Sequence, residues 1–198
     1  MAKEIELIWI RHGQTQWNMD RRFQGQLNPP LNAEGLRQAR RVAQRLAAEG
    51  PFDALVSSDL ARAVQTAQAI SAAVRLPISA YYTELRERHM GRLEGLTHEE
   101  AEMSYGPAFR QMSLGKESPE HFRMRAVLAA ELIIAQHRDR QRILVTSHGG
   151  LIKAFLLAYQ LPFQGPLQNT SLTKVVRSGT GKWQLLTLND VEHLATPA

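Results

Sequence analysis

The sequence predicts an α/β fold, a three-layer sandwich with a mostly parallel central sheet, helices on both faces of the sheet and a small helical roof. Short apolar runs typical of buried strands alternate along the chain with longer segments of helical periodicity. This alternation is typical of strand–helix–strand units built around a parallel sheet. The length of 198 residues, 43% of them hydrophobic, suits one domain with its own core. We therefore expect a single domain over residues 1–198.

The first half of the chain is predicted to supply three strands and two helices. Apolar and β-branched runs predict strands at Ile5–Ile10, Phe52–Ser57 and Pro77–Ala80. A helix is expected over Asn32–Ala48, with Asn32 as its cap. A second helix is expected to run to about residue 74 from a cap at Ser58 or Asp59.

The second half of the chain is predicted to complete the sheet and to add the roof. Helical patterns cover residues 97–112, with an interruption at Gly106-Pro107, and then residues 120–137 and 151–161. The run Ile143–Ser147 predicts another buried strand, and Ser171–Arg177 and Lys182–Leu188 alternate as a C-terminal hairpin. We expect the segment at about 96–122 to be a helical insertion that roofs the ligand pocket.

Composition and charge exclude several classes of function. The chain has no cysteine, which excludes a disulfide framework, a cysteine nucleophile and metal sites built on thiolates. Its net charge of +5 is spread along the whole chain rather than collected in one stripe, so we expect no nucleic-acid partner. No apolar run reaches membrane-spanning length, and the N-terminus lacks the apolar core of a signal peptide. We therefore expect a cytoplasmic protein without a membrane partner.

Two of the predicted strands end in the same short motif. One strand leads into Arg11-His12-Gly13, and another leads into Ser147-His148-Gly149. The carboxyl ends of parallel strands lie at one edge of the sheet, where α/β proteins bind ligands. Each glycine lets backbone and ligand approach closely. The two histidines are therefore expected to lie together at a ligand site.

Arginines accompany these histidines and favour an anionic ligand. Arg11 precedes His12, and Arg62 lies in the first turn of the helix that follows another strand, where a helix N-terminus also attracts anions. None of the seven histidines is paired at the i, i+4 spacing of a helical zinc site. We therefore expect an anion site, with neither a metal nor a cofactor.

The segment Arg11-His12-Gly13-Gln14-Thr15-Gln16-Trp17-Asn18 resembles the R-H-G-x-T-x-W-N signature of the histidine phosphatase superfamily, also called phosphoglycerate-mutase-like proteins. All six fixed positions of that signature are present. The resemblance extends over residues 4–193. Further segments that resemble the family follow in the same order: Phe23-Gln24-Gly25, Ser57 to Ala67, Leu85-Arg86-Glu87, Glu94-Gly95, Glu117-Ser118 and Thr146 to Gly150.

The resemblance implies a set of catalytic residues. His12 would be the nucleophile that forms a phosphohistidine. Glu87 would be the acid that protonates the leaving oxygen and then the base that activates water. Arg11, Arg62 and His148 would surround the phosphoryl oxygens and stabilise their charge.

The resemblance also implies contacts with the substrate, although simpler roles are open for several of these residues. Thr15 and Asn18 can also cap a short helix, Gln24 can be a solvated loop residue, and Glu94 can be a surface carboxylate rather than a second acid. The residues expected to bind substrate are Thr15, Asn18, Gln24, Gly25, Arg88 and Gly149.

Three functions are compatible with this resemblance. The run Glu87-Arg88-His89 resembles the form found in cofactor-dependent phosphoglycerate mutases, which is the alternative to a phosphatase. The segment from Gly95 to Ser118 is short and has no adjacent basic pair, and His148 to Ile152 resembles the phosphatase form. A non-enzymatic phospho-ligand binder is expected to have lost a catalytic residue, and none is lost. We therefore expect a metal-independent phosphatase that acts on a small phosphorylated metabolite. The resemblance offers a homodimer as one assembly, because family members are often dimers, and no motif in the sequence decides the oligomeric state.

Overall fold

A six-stranded mixed sheet forms the centre of the protein, which the computed structural model describes over residues 4–195. The strands are β1 (Ile5–Arg11), β2 (Ala54–Ser58), β3 (Ile78–Tyr82), β4 (Arg142–Ser147), β5 (Leu172–Arg177) and β6 (Trp183–Asp190). Their order is β3-β2-β4-β1-β5-β6. The first four strands in that order pair in parallel, whereas β5 is antiparallel to both β1 and β6. The mostly parallel sheet and the C-terminal hairpin are therefore confirmed. Residues 1–3 and 196–198, the ends of the expected domain, lie outside the described residues.

Helices cover both faces of this sheet, as predicted. The helices are α1 (Gln16–Met19), α2 (Ala33–Glu49), α3 (Ala61–Val74), α4 (His98–Tyr105), α5 (Pro119–Gln136), α6 (Gly149–Ala158) and α7 (Glu192–Ala195). The side chains of β1 alternate between two cores, as the two-residue period of a strand requires. Ile8 and Ile10 pack in the core under α2 and α3, whereas Leu7 and Trp9 pack in the core under α5 and α6.

Several element boundaries differ from the prediction. α3 begins at Ala61, and its N-cap is Leu60, which makes no capping hydrogen bond through its side chain. Ser58 and Asp59 do not cap it, because Ser58 is the last residue of β2 and Asp59 forms an ion pair with Arg86. The pattern predicted at 97–112 is helical only up to Tyr105: the predicted interruption at Gly106, which has φ +79°, ends the helix, and turns rather than a further helix follow it. α6 begins at Gly149, and the short helices α1 and α7 were not predicted.

The segment 96–122 contains α4, a run of turns and the first turn of α5. α4 contributes to a small third core that contains Phe109, and Phe23 and Met90 pack against this core. A cavity of about 500 Å³, which we call the main cavity, is lined by His12, Arg62, Glu87 and further residues, and this segment contributes Pro119 and Phe122 to its lining. Within the described residues, α4 therefore supports the cavity wall through Phe23 and Met90.

The topology brings the ends of three parallel strands to one edge of the sheet. Arg11 at the end of β1 pairs with Ser147 at the end of β4, and β2 pairs with β4 up to Ser57. The residues that follow these strands therefore meet at this edge. Over residues 4–195, none of the helices combines the length and the apolar character needed to cross a bilayer.

Candidate active site

His12 lies at the end of β1 with only 3% of its surface exposed. Its Nδ1 atom lies 2.7 Å from the carbonyl oxygen of Gly13. Because a carbonyl can only accept a hydrogen bond, Nδ1 carries the proton and Nε2 keeps a lone pair. Burial, together with the neighbouring cations Arg62 and Arg11, holds the pKa of His12 well below the usual 6.5. His12 is thus a neutral imidazole with an available nucleophilic nitrogen at neutral pH.

Arg62 is a fully buried cation beside this imidazole. Its Nη1 donates to the carbonyl oxygen of Leu27 and its Nη2 to that of Gly25, both at 2.8 Å. Burial lowers its pKa to about 10, so it remains charged at neutral pH. Its Nε atom is buried and has no hydrogen-bond partner among residues 4–195. Burial of a cation with an unused hydrogen-bond donor destabilises the folded protein unless an anion can reach it.

Arg11 is the second cation at this edge. Its Nη1 donates to the carbonyl oxygen of Leu167, and its buried Nε has no hydrogen-bond partner within the described part of the chain. Burial lowers the pKa of Arg11 from its usual value. Arg11 and Arg62 both line the main cavity with His12, and such a pair of guanidinium groups suits an anionic ligand.

His148 lies behind the cavity wall, with its ring centroid 5.2 Å from that of His12. It occupies the N-cap position of α6 and is fully buried. Its Nε2 lies 2.9 Å from the Ser58 hydroxyl, whereas its buried Nδ1 has no partner among the described residues. Burial and the charge of Arg62 hold the pKa of His148 well below 6.5. With the Ser58 hydroxyl donating to Nε2, Nδ1 becomes the protonated nitrogen that can donate to an anion.

Glu87 contributes a carboxylate to the same cavity. Its Oε1 accepts from the backbone N–H of Arg88 at 2.9 Å, and its Oε2 accepts from that of Gly150 at 3.0 Å. A Cβ atom at Gly150 would lie 2.1 Å from Oε1, so a larger residue there would displace this carboxylate from its observed position. Arg125 holds the backbone of this segment by donating to the carbonyl oxygens of Arg86 and Glu87, and it pairs with Glu117 at 2.7 Å.

Thr15 and Asn18 form a capping box at α1. Thr15 is fully buried and is not among the residues that line the cavity, whereas Asn18 lines it. Asn18 Oδ1 accepts from the backbone N–H of Thr15 at 3.1 Å, which leaves its Nδ2 as the donor for a ligand. Asn169 also donates to the carbonyl oxygen of His12 at 2.9 Å. Thr15 and Asn169 therefore position Asn18 and His12.

The remaining predicted substrate-binding residues divide between the cavity wall and the layer behind it. Gln24, Gly25 and Arg88 line the cavity, and the buried Oε1 of Gln24 has no partner among the described residues. Gly149 lies against the Arg11 side chain and is not part of the lining.

Glu94 is neither a surface carboxylate nor part of the cavity lining. Only 9% of its side chain is exposed, and its Oε1 accepts from the backbone N–H groups of Gln26 and Met90, each at 2.9 Å. Gly25, with φ +50°, lies so close that a Cβ atom there would be 2.0 Å from Oε1. Glu94 thus holds the loop whose carbonyl groups bind Arg62.

The cavity also has lining residues that the sequence analysis did not identify. Six of them are basic or apolar residues of α5 and α6: Pro119, Phe122, Arg123, Lys153, Ala154 and Leu157. Four lining residues of α6 lie on one face of the helix at spacings of three, four and seven residues: Gly150, Lys153, Ala154 and Leu157. This spacing is the sequence signal that could have identified them as residues that line the cavity. Among residues 4–195, no group of three or more His, Cys, Asp or Glu side chains could hold a metal ion.

Comparisons with known proteins agree on one family. The family model of the histidine phosphatase superfamily (branch 1) matches residues 7–191. The chain is 35% identical to a metal-independent phosphoserine phosphatase of Arabidopsis thaliana over 205 residues, 98% of this chain and 85% of that protein. It is also 35% identical to a probable phosphoglycerate mutase of Serratia proteamaculans over 215 residues, 98% of this chain and 97% of that protein. The solved structure of a mycobacterial glucosyl-3-phosphoglycerate phosphatase matches with a TM-score of 0.79 at 33% identity, covering 94% of this chain and all of that one.

The buried histidines predict how stability depends on pH. His12 and His148 have folded-state pKa values well below 6.5, and burial lowers the pKa of His193 to about 4. Below pH 6.5 the unfolded chain binds more protons than the folded protein, so the free energy of unfolding falls as pH falls. Each such histidine contributes a loss of up to about 1.4 kcal/mol per pH unit below 6.5. Urea unfolding between pH 7.5 and 5.5 measures this slope.

The variant His193→Gln tests this pH dependence at a residue that does not line the main cavity. It removes one titrating histidine and is expected to reduce the loss of stability between pH 6.5 and 5.5. A free energy of unfolding that stays constant over this range would contradict the buried, neutral state of these histidines.

Proposed function

The chain belongs to branch 1 of the histidine phosphatase superfamily, and from this premise we propose that it is a metal-independent phosphatase that transfers the phosphoryl group of small phosphorylated metabolites to His12 and then to water. The observation that carries the proposal is the neutral, buried His12 with its Nε2 lone pair free beside Arg11 and Arg62. The 35% identical metal-independent phosphoserine phosphatase supports the same reaction class. Cytoplasmic location stays part of this proposal.

In the first step, His12 Nε2 attacks phosphorus while the bond to the leaving oxygen breaks. Protonated Glu87 gives its proton to that oxygen, so the product leaves as a neutral alcohol. Arg11 and Arg62 stabilise the charge on the equatorial phosphoryl oxygens, and His148 donates to one of them through Nδ1. The phosphoryl group is then bonded to His12 Nε2.

In the second step, the Glu87 carboxylate takes a proton from water while the water oxygen attacks phosphorus. The bond from phosphorus to Nε2 breaks, and inorganic phosphate leaves with His12 and Glu87 in their starting states. The backbone N–H groups of Arg88 and Gly150 hold the Glu87 oxygens in place for both proton transfers.

Phosphatase activity is favoured over mutase activity by the 35% identity to a metal-independent phosphoserine phosphatase and by the fold shared with a glucosyl-3-phosphoglycerate phosphatase. The lining residues Leu157, 52% exposed, and Arg123, with 47% of its side chain exposed, also leave the cavity open to solvent. The lack of a basic pair between Gly95 and Ser118 carries less weight than the sequence suggested, since Arg88, Arg123 and Lys153 from other segments line the cavity.

Glu87→Gln should affect substrates according to how much their leaving group needs a proton. Alkyl phosphates are expected to lose on the order of 10²-fold or more in kcat/KM, because an alkoxide leaves poorly without an acid. p-Nitrophenyl phosphate should lose much less in its first step, which a burst of nitrophenol measures in rapid-mixing experiments. Equal losses on both substrates would assign Glu87 a structural role.

Two assays on the same preparation decide between phosphatase and mutase activity. One measures release of inorganic phosphate and the other measures phosphoglycerate mutase flux, both with a chelator present. We expect release of inorganic phosphate from several phosphomonoesters and slow mutase flux that 2,3-bisphosphoglycerate does not stimulate. His12→Ala should abolish both activities by on the order of 10³-fold or more, since it removes the nucleophile. Mutase flux that exceeds phosphate release tenfold would contradict the phosphatase.

A further inference from the structure

The main cavity extends well beyond the reacting groups, along one face of α6. Gly150, Lys153, Ala154 and Leu157 line it at helical spacings of three, four and seven residues. Gly150 donates to Glu87, so this stripe begins at the proton-transfer group. Leu157 lies seven residues further, about 10 Å along the helix axis at 1.5 Å per residue. The cavity therefore has a long axis that a leaving group can follow.

The wall along this axis is largely apolar and well supported. Phe122 lies opposite the α6 stripe at the start of α5, and Phe23 and Met90 are backed by the third core. The volume of about 500 Å³ is typical of pockets that enclose drug-sized ligands. A serine or glycerate leaving group would fill little of this space and would touch few of these apolar side chains.

Cations accompany the apolar wall. Lys153 is one turn along α6 from Gly150, and its Nζ lies 5.2 Å from the ring centroid of Phe163. Within residues 4–195, neither Lys153 nor Arg88 forms an ion pair. Among the described residues that line the cavity, Glu87 is the one with a carboxylate. A second anionic group on the ligand would therefore meet these positive charges, with Glu87 as the one lining carboxylate that competes for them.

We propose that the cavity selects phosphomonoesters whose leaving group is an extended apolar or aromatic alcohol with a second anionic group, which Lys153 binds. Ala154, Leu157 and Phe122 contact the apolar body, and the phosphoryl group lies at His12. This inference rests on the proposed phosphatase function and names the substrate class of the same site.

A series of synthetic substrates tests the inference through kcat/KM. Hexyl phosphate should exceed ethyl phosphate by on the order of tenfold, because its added methylenes become buried against the α6 stripe. The same six-carbon chain with a terminal carboxylate should exceed hexyl phosphate by on the order of tenfold again, since an ionic hydrogen bond forms with Lys153. Phosphoserine serves as the short anionic reference and is expected to be a poorer substrate than the long carboxylate.

Two variants separate the two parts of the inference. Lys153→Met keeps an unbranched apolar side chain and should reduce the gain from the carboxylate to less than about twofold. Leu157→Ser should reduce the gain from chain length. Lys182→Met is the matched control: Lys182 is exposed just before β6, outside the cavity lining, so both gains should remain.

The outcomes distinguish this inference from the function on which it rests. Hydrolysis of p-nitrophenyl phosphate with no gain from chain length or carboxylate, or a carboxylate gain that survives Lys153→Met, would overturn the substrate class and leave the phosphatase intact. Absence of hydrolysis for every substrate in the series would overturn both.

Discussion

The hydrogen bond from His12 Nδ1 to the Gly13 carbonyl oxygen is the interaction on which the account of this protein depends. It orients the imidazole and leaves Nε2 unprotonated, while burial and the adjacent guanidinium groups disfavour a second proton. In the proposed reaction, the cations that bind the phosphoryl group also keep its nucleophile neutral. One arrangement of charge would then serve both substrate binding and nucleophilic catalysis.

Burial of these cations requires support from several parts of the chain. Arg62 is held by backbone carbonyl groups of the loop at 25–27, and that loop is held by Glu94. Glu94 also accepts from Met90, which packs against the third core beside α4. α4 therefore acts on the site indirectly, because it supports the loop and the wall that surround the phosphoryl group and the leaving group.

The sequence predicted the sheet, the two strand-end histidines and the arginines beside them, because these features depend on local periodicity and on a topological rule. It could not assign partners that are distant in the chain. Glu94 contacts residue 26, Asn169 contacts residue 12, and Ser58 contacts residue 148, and these contacts follow from packing rather than from a local pattern. The cap predicted at Ser58 or Asp59 was wrong because β2 extends to Ser58 and the helix begins only at Ala61, a boundary that the sheet sets rather than the local pattern.

NMR of ¹⁵N-histidine-labelled protein between pH 8 and pH 5.5 reports directly which ring nitrogen of His12 carries the proton. A neutral imidazole with the proton on Nδ1 should give a protonated shift at Nδ1 and an unprotonated shift at Nε2 over the whole range. His12→Ala identifies the signals by their loss. A His12 that titrates near pH 6.5, or one that carries its proton on Nε2, would contradict the account.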